Sequence, residues 1–176
     1  MAAAAPKTER VHFTCSPALF EMVHREATAI MEWLRGLLPA SAEILHIGAT
    51  SIPDCLTKGD LDLVVRINRH DFVAARDALD SSCGTNLGSV RDESFASYAI
   101  EGHRLPVGVQ LVVRGSTYDG FHIFWDRMRA SPSLREDYNA LKQRWEGGDM
   151  EAYRAAKNDF ISAVLSADAI ERGSAP

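Results

Sequence analysis

Cysteine is scarce in this chain of 176 residues, which contains only Cys15, Cys55 and Cys83. Their number is odd, their spacing is wide and no CxxC pair exists, so neither a disulfide framework nor a zinc site is expected. Such sparse cysteine usage is typical of a protein that works in a reducing compartment. We therefore expect a cytoplasmic location.

Long apolar runs and an excess of positive charge are also missing. No apolar run approaches the roughly 18 residues that a membrane-spanning helix needs. The alanine-rich start lacks the basic-then-apolar order of a signal peptide, so no membrane partner is expected. The formal net charge of -5 argues against a surface that coats extended nucleic acid. The net charge does not exclude small nucleotides as ligands, because one local basic pocket suffices to hold them.

The composition that remains is that of an ordinary globular protein, with 46% hydrophobic and 24% charged residues. A chain of this length predicts a single domain over residues 1–176 with a sizeable core. We expect residues 1–10 and 170–176 to be disordered, because chain ends fray unless they are tied down. No internal repeat or low-complexity tract is visible.

Apolar periodicity predicts an α+β fold, in which a small mixed sheet with flanking helices is followed by a helical C-terminal third. The near-continuous apolar run from Leu61 to Ile67 indicates a central strand. The strands predicted over 95–101 and 107–113 can pair as a hairpin. Helices are predicted over 17–38, 68–82, 120–130, 132–145 and from 150 onward, a further strand over 44–47, and loops over 50–59 and 84–93.

Two acids stand at the start of the predicted central strand, Asp60 and Asp62. Side chains at i and i+2 of a strand point to the same face. Two carboxylates a few ångströms apart repel each other unless a cation lies between them. Mg²⁺ (or Mn²⁺) suits this pair, because such ions take oxygen ligands from carboxylates and substrate phosphates. The alternative is a solvated Asp60 and an Asp62 that bonds a neighbouring backbone N–H.

A turn of small residues precedes these acids and contains Gly48, Ala49, Thr50 and Ser51. Such a turn can expose backbone N–H groups and hydroxyls to a phosphate. Lys58 follows and can reach a phosphate as a point charge. Together these residues predict a triphosphate site beside a metal site, as nucleotidyl transfer requires. The alternatives are an ordinary turn and a solvated lysine.

The order of a strand, a Gly-small turn, a loop and Asp-x-Asp on a strand resembles the signature of the DNA-polymerase-beta-like nucleotidyltransferase superfamily. Residues 46–53 are similar to the His-Ile-Gly-Ser-Thr-Ala-Val-Pro block of the GrpB-like family (UPF0157), and Lys58 and Asp62 match the Lys and Asp that follow it. The resemblance implies a nucleotidyltransferase fold but no particular substrate. Matching residues in the C-terminal third are Phe124, Asp126, Arg129, Ala130, Pro132, Tyr138, Leu141, Lys142, Tyr153, Ala156, Lys157, Asp159 and Phe160.

The chain departs from the family pattern at several positions. Ala49 stands where the family commonly has Ser, which leaves one hydroxyl fewer for a phosphate, and Asp54 replaces a Gly. Asp60 stands where the family usually has an aliphatic residue, so this chain is more similar to an active transferase there. Nucleotidyltransferases have a third acid on a neighbouring strand, where GrpB-like proteins often have His-x-His. This chain offers Gln110, which can position a hydroxyl but cannot accept a proton at neutral pH.

Three further side chains are weaker candidates for the same site. Glu101 ends a predicted strand and is the best substitute for the third carboxylate. Lys142 and Lys157 can point into a cleft shared by the sheet and the C-terminal helices. The alternative for both is a surface lysine whose stem covers apolar area.

The leading hypothesis is a Mg²⁺-dependent nucleotidyltransferase of the GrpB-like family. It would transfer a nucleotidyl group from a nucleoside triphosphate to a small acceptor, mainly by positioning and electrostatic stabilisation. The missing third acid motivates an alternative, a catalytically degenerate module that binds a nucleotide or another anion. A third hypothesis is a scaffold whose helical end docks a partner protein. The sequence identifies neither the acceptor nor the preferred base.

Overall fold

A computed structural model of the protein describes residues 9–86 and 88–173, with side chains in the last helix described as far as residue 167. The disorder expected at 1–8 and 174–176 falls outside these residues. Glu9 and Arg10 are described: the N–H of Met150 donates to the Glu9 carbonyl at 2.9 Å, and Arg10 Nη1 donates to the Gly147 carbonyl at 2.6 Å. In the described part of the chain, no helix has both the length and the apolar character to cross a bilayer.

A five-stranded mixed sheet with helices on both faces forms the protein, which confirms the predicted α+β class. The strand order is β1-β2-β5-β4-β3; β2 and β5 run parallel, and the other neighbours run antiparallel. The strands are β1 (Glu43–Ile47), β2 (Leu61–Ile67), β3 (Gly84–Thr85), β4 (Phe95–Ile100) and β5 (Val107–Val113). The helices are α1 (Pro17–Leu37), α2 (Phe72–Ser82), α3 (Phe121–Ala130), α4 (Pro132–Arg144) and α5 (Met150–Gly173).

The interior position predicted for β2 is confirmed, because β1 and β5 flank it on either side. The predicted hairpin is also confirmed, since β4 and β5 pair antiparallel. The two-residue β3 lies in the segment predicted to be a loop, and a strand this short carries no periodic pattern. Ser16 precedes α1, and among the described residues its side chain finds no capping hydrogen bond; Ser131 caps α4, accepting from the N–H of Leu134 at 3.2 Å.

Alternation along β2 divides the packing between the two faces of the sheet. Leu61, Leu63, Val65 and Ile67 are buried against residues of α1 and α2. Val64 belongs to the opposite cluster, which contains residues of α3, α4 and α5. Asp62 shares the face of Val64, because the two are separated by one residue. The helical C-terminal third therefore covers the face of the sheet that carries this acid.

A charge cluster lies at the far end of that face. Arg66 Nε and Nη2 donate to Asp119 at 2.6 and 2.9 Å, and Nη1 donates to Glu43 at 2.6 Å. Burial acts to raise the pKa of Asp119, but hydrogen bonds from Arg66 and the Gly115 N–H lower it on balance. The cluster ties β2 to β1 and to the turn that precedes α3.

Residues 11–14 run between two loops that are far apart in the sequence. The N–H of Val11 donates to the carbonyl of Gly148 at 3.0 Å. Thr14 and Thr57 exchange two backbone hydrogen bonds, of 2.8 and 2.9 Å. This N-terminal segment therefore connects the loop before β2 with the turn between α4 and α5.

Candidate functional site

The side chain of Asp62 lies against two glycines, Gly48 and Gly108. Asp62 pairs with Ile47 on β1 and with Gly108 on β5. A Cβ atom on Gly108 would lie 3.2 Å from Oδ1 of Asp62, and one on Gly48 would lie 2.8 Å from Oδ2. Gly48 also has a φ of +82°, in the left-handed region that favours glycine. The two glycines therefore create the space in which the carboxylate lies.

The charge of Asp62 is unfavourable in this space. Burial and the neighbouring charge of Asp60 raise the pKa of Asp62 to about 6. Lys157, Lys58 and a hydrogen bond from the Gln110 amide act in the opposite direction without cancelling the effect. A cation close to the two acids would favour the ionised form of Asp62.

Asp60 lies directly before β2 and is paired with a lysine. Nζ of Lys58 lies 3.0 Å from Oδ2 of Asp60, and the two side chains are 30% and 33% exposed. The carbonyl of Asp60 accepts a hydrogen bond from Oγ1 of Thr50 at 2.9 Å, which fixes the acid relative to the glycine turn. A lysine thus neutralises the outer acid of the pair.

The glycine turn, residues 48–51, contains one turn of 3-10 helix over Ala49–Ser51. Thr50 is buried with its hydroxyl bound to Asp60, and the Ser51 hydroxyl donates to the Gly48 carbonyl at 2.8 Å. The first N–H groups of such a helix have no acceptor within it. These N–H groups, rather than the two hydroxyls, are therefore the donors of the turn that have no acceptor within it.

An open cleft of about 730 Å³, here called the carboxylate cleft, begins at the two acids and extends along the connection between β4 and β5. Its lining includes Asp60, Asp62, Ser97, Glu101, Gln110 and Arg154. Glu101 is exposed on the β4–β5 connection. Oε1 of Gln110 is buried without a hydrogen-bond partner among the described residues. A buried acceptor without a partner is costly, so a small movement of the side chain that gave it a hydroxyl partner would be favourable.

A smaller cavity of about 30 Å³, here called the lysine cavity, lies on the other side of the acids. It brings together residues that the sequence places in three separate blocks, while Thr50 and Ser51 are absent from its lining. The predicted site residues that line it are Gly48, Ala49, Lys58, Asp60, Asp62, Lys142 and Lys157. Thr57 and the aromatic rings of Phe13, Trp125, Tyr138 and Tyr153 complete the lining.

Lys142 is the most deeply buried of these lysines, with 1% of its surface exposed. Its Nζ donates to the carbonyl of Leu56 and to Sγ of Cys55, the latter at 3.4 Å. The same atom lies 3.9 Å from the centre of the Tyr138 ring. Burial lowers the pKa of Lys142 to about 8, although Cys55 acts to raise it. The lysine therefore anchors the loop before β2.

Replacing this lysine gives a prediction with a defined sign. Between its native pKa of about 8 and its ordinary value of 10.5, the unfolded chain binds more protons at Lys142, so stability rises with pH. Between pH 7 and pH 9.5 the free energy of unfolding of the native protein is expected to rise by roughly 2 kcal/mol relative to that of Lys142→Met. Urea unfolding at both pH values measures this difference. Gln143→Met, at an exposed neighbour, should follow the native protein, and parallel behaviour of Lys142→Met would contradict the prediction.

No third acid joins Asp60 and Asp62 in the part of the chain that the structure describes. Within residues 9–86 and 88–173, no three His, Cys, Asp or Glu side chains form a group that could hold a metal ion. Gln110, on the strand next to β2, directs its amide to Asp62. Among the described residues, this site therefore contains a pair of acids rather than a group of three.

Two residues that position the site were not assigned a role from the sequence. Gly108 lies beside Asp62, and a glycine inside a strand is a signal of close approach by another group. Arg129 Nη2 donates to the His46 carbonyl at 2.9 Å and to Oγ of Ser51 at 3.1 Å. Arg129 belongs to a matching family block, but only the structure shows that it supports the glycine turn from behind.

The sheet order, the glycine turn and the paired acids define a protein with a nucleotidyltransferase-like fold. A crystal structure of the Cid1 poly(U) polymerase with Mg and 3'-dATP bound matches 74% of this chain and 42% of its own chain, with a TM-score of 0.50 and 11% identity. This likeness concerns the fold alone.

The chain belongs to the GrpB family, whose sequence model, described as GrpB protein, matches residues 14–167. It is similar to a UPF0157 protein of Vibrio cholerae, with 37% identity over 133 residues that cover 75% of this chain and 70% of the relative. It also matches the crystal structure of the conserved protein GrpB from Enterococcus faecalis, with a TM-score of 0.64 and 18% identity, over 88% of this chain and 97% of that one. The predicted family is thus confirmed.

Proposed function

We propose that this protein is a Mg²⁺-dependent nucleotidyltransferase, which transfers a nucleotidyl group from a nucleoside triphosphate to a small acceptor. The observation that carries the proposal is the Asp62 carboxylate, held between Gly48 and Gly108 beside Asp60 at the start of the carboxylate cleft. A raised pKa caused by burial and a second acid is typical of a functional carboxylate.

The donor set fits a hard divalent cation. Asp60 and Asp62 supply carboxylate oxygens, and Mg²⁺ commonly binds through one or two carboxylates together with substrate phosphates. Mn²⁺ accepts the same oxygen ligands. When bound, the ion would offset the charge of the phosphates and of the attacking oxygen. Cid1 has a similar fold and was solved with Mg and 3'-dATP bound, which supports this choice of ion.

Lys58 has two roles in this proposal. In the structure without ligands its ammonium neutralises Asp60 at 3.0 Å. A divalent cation on Asp60 would repel the ammonium. Lys58 lies in the lysine cavity beside the glycine turn, so the released side chain can reach a phosphate held by the turn. Lys142 and Lys157 add positive charge to the same cavity.

The acceptor would lie in the carboxylate cleft. Its volume of about 730 Å³ is in the range of pockets for small molecules. Oε1 of Gln110 can accept a hydrogen bond from an acceptor hydroxyl and so orient it, while the Gln110 amide holds Asp62. Because a glutamine takes no proton at neutral pH, the attacking hydroxyl would lose its proton to Asp62 or to solvent. Glu101 would contact only the outer part of the acceptor.

Thermal unfolding with Mg²⁺ and each nucleoside triphosphate tests the proposal. Mg²⁺ and the correct nucleotide together should raise the unfolding temperature of the native protein, because a ligand that binds only the folded state stabilises it. Asp62→Asn and Asp60→Asn should lose the metal-dependent part of this rise. Asp77→Asn, which changes an exposed acid on α2, serves as the control and should keep it. Equal shifts in the native protein and Asp62→Asn would rule out this site.

The second candidate is a module that binds a nucleotide without transferring it, and the lack of a third acid beside Asp60 and Asp62 in the described part of the chain favours it. Isothermal titration paired with an assay for pyrophosphate separates the two functions. Release of pyrophosphate in the presence of an acceptor establishes the transferase. Tight binding of nucleotide with no release across a panel of alcohols, amines and sugars establishes the module.

A further inference from the structure

A second polar pocket lies behind the glycine turn, between α1, β1 and the last turn of α3. Its volume is about 330 Å³. The side chains around it that can carry positive charge are His24, Arg35, His46 and Arg129, and the rest of the lining is Ala27, Thr28, Met31 and Ser51. Among the described residues, no acidic side chain lines this arginine pocket, although the chain as a whole has a net charge of -5.

The two arginines of the arginine pocket differ in their surroundings. Arg129 is fixed, because Nη1 donates to Asp126 at 3.0 Å while Nη2 donates to the His46 carbonyl and to Ser51. Asp126 thus offsets the charge of Arg129. Arg35 lies in the last turn of α1 and is exposed to solvent. Arg35 therefore contributes the positive charge that can move toward a ligand.

His46 lines this pocket at a position where burial makes a positive charge on its ring unfavourable. It lies on β1, and its Nε2 is 3.2 Å from Oγ1 of Thr50. Burial lowers its pKa to about 4, and the charges of Arg129 and His24 act in the same direction. The imidazole is therefore neutral at pH 7. A bound anion would favour protonated His46 and so raise its pKa.

We propose that the arginine pocket binds a small phosphate-bearing anion, at a site separate from the acids of the carboxylate cleft. Arginine guanidinium groups match phosphate oxygens in geometry and charge, and their hydrogen bonds to phosphate are among the strong ones in proteins. The pocket is large enough for a phosphate group with a small substituent. Ser51 lines the pocket and donates to the Gly48 carbonyl, so a ligand there contacts the back of the turn whose front faces Asp62.

Titration of the full chain with inorganic phosphate, in EDTA and at constant ionic strength, tests this site without any metal. The native protein should bind phosphate, and Arg35→Gln should weaken the binding at least about tenfold. Arg25→Gln is the matched control, because it removes an exposed arginine of the same helix that does not line the pocket. Asp62→Asn should bind phosphate as the native protein does, which separates this site from the proposed nucleotide site.

Histidine NMR provides a second readout in the same samples. Phosphate should raise the pKa of His46 in the native protein, and His24→Gln should reduce the affinity without loss of the fold. Equal weakening by Arg35→Gln and Arg25→Gln would mean that phosphate responds only to overall charge, and the proposal fails. Loss of phosphate binding in Asp62→Asn would mean that the anion binds at the front of the turn, beside Asp62, and would overturn the proposal. The proposal would also fail if phosphate released no heat of binding in the titration and left the pKa of His46 in the native protein unchanged.

Discussion

Replacement of Asp62 by asparagine is expected to stabilise the protein at pH 7.5 by roughly 2 to 3 kcal/mol, while it removes the proposed metal site. The native pKa of about 6 lies above the ordinary value of 3.8, because the carboxylate is buried and lies beside Asp60. Ionised Asp62 is therefore less favourable in the folded protein than in the unfolded chain. Asparagine has nearly the same shape, its Oδ1 can accept from Gln110, and it carries no charge.

The sign of this effect fixes its pH dependence. From pH 3.8 to about 6 the folded protein holds a proton on Asp62 that the unfolded chain has released, so native stability falls as the pH rises. The advantage of Asp62→Asn should accordingly shrink to about one-third by pH 4.5. Urea unfolding at pH 7.5 and 4.5 measures both values in metal-free buffer.

Asp119→Asn is the matched control, because its carboxylate has a lowered pKa and two hydrogen bonds from Arg66. Removal of the Asp119 charge should destabilise the protein at pH 7.5, and this destabilisation should fade in acid. Asp62→Asn, in contrast, should stabilise the protein at pH 7.5. Destabilisation by Asp62→Asn at pH 7.5 would show that the carboxylate is satisfied by its protein neighbours. The case for a cation at this site would then fail.

Gly48→Ala is expected to destabilise the protein by about 3 kcal/mol and to abolish binding of Mg²⁺ with nucleotide. Two effects add at this position. The φ of +82° is strained for alanine, and the new methyl group would lie 2.8 Å from Oδ2 of Asp62. Either the turn or the carboxylate must move, which separates the two halves of the proposed site. Urea unfolding and the thermal assay measure the two losses.

Gly115→Ala isolates the backbone contribution, since its φ is +75° and no atom of the described residues lies within 4 Å of the added carbon. Gly115→Ala should lower the free energy of unfolding by only about 1 kcal/mol and leave nucleotide binding intact. In an Asp62→Ala background, Gly48→Ala should also cost no more than Gly115→Ala, because the contact with the carboxylate is gone. Equal costs of both glycine changes in the native background would contradict the close approach of turn and acid.

Much of the fold could be predicted from local patterns in the sequence. Apolar periodicity identified the long helices and the four longer strands, because the buried face of each element repeats with its own period. The two-residue β3 was missed, since Gly84 and Thr85 carry no such repeat. The hydroxyl of Ser16, directly before α1, makes no capping bond to the described residues, and such detail depends on how the preceding chain enters the helix.

The residue types of the candidate site could be predicted from the sequence, but its geometry could be predicted only in part. The spacing of Asp60 and Asp62 predicted a shared face, and both acids line the same cleft. Sequence could not show that the Thr50 hydroxyl turns inward to Asp60, that Lys58 already neutralises this acid, or that Gly108 makes room for the other. These features arise from pairing between strands and loops distant in sequence, which no local pattern encodes.

The N-terminal segment has a consequence for how the chain folds during synthesis. Arg10 and Gly147, which are hydrogen-bonded, are 137 residues apart, and residues 11–14 also bond to the loop before β2. A ribosome releases the earlier partner long before it has made the later one. The hydrogen bonds of residues 9–11 to Gly147, Gly148 and Met150 must therefore wait until α4 and the turn after it emerge, whereas Thr14 can pair with Thr57 earlier. Final closure around the lysine cavity is thus a late event in translation, because Tyr153 and Lys157, which line the cavity, follow this turn in the chain.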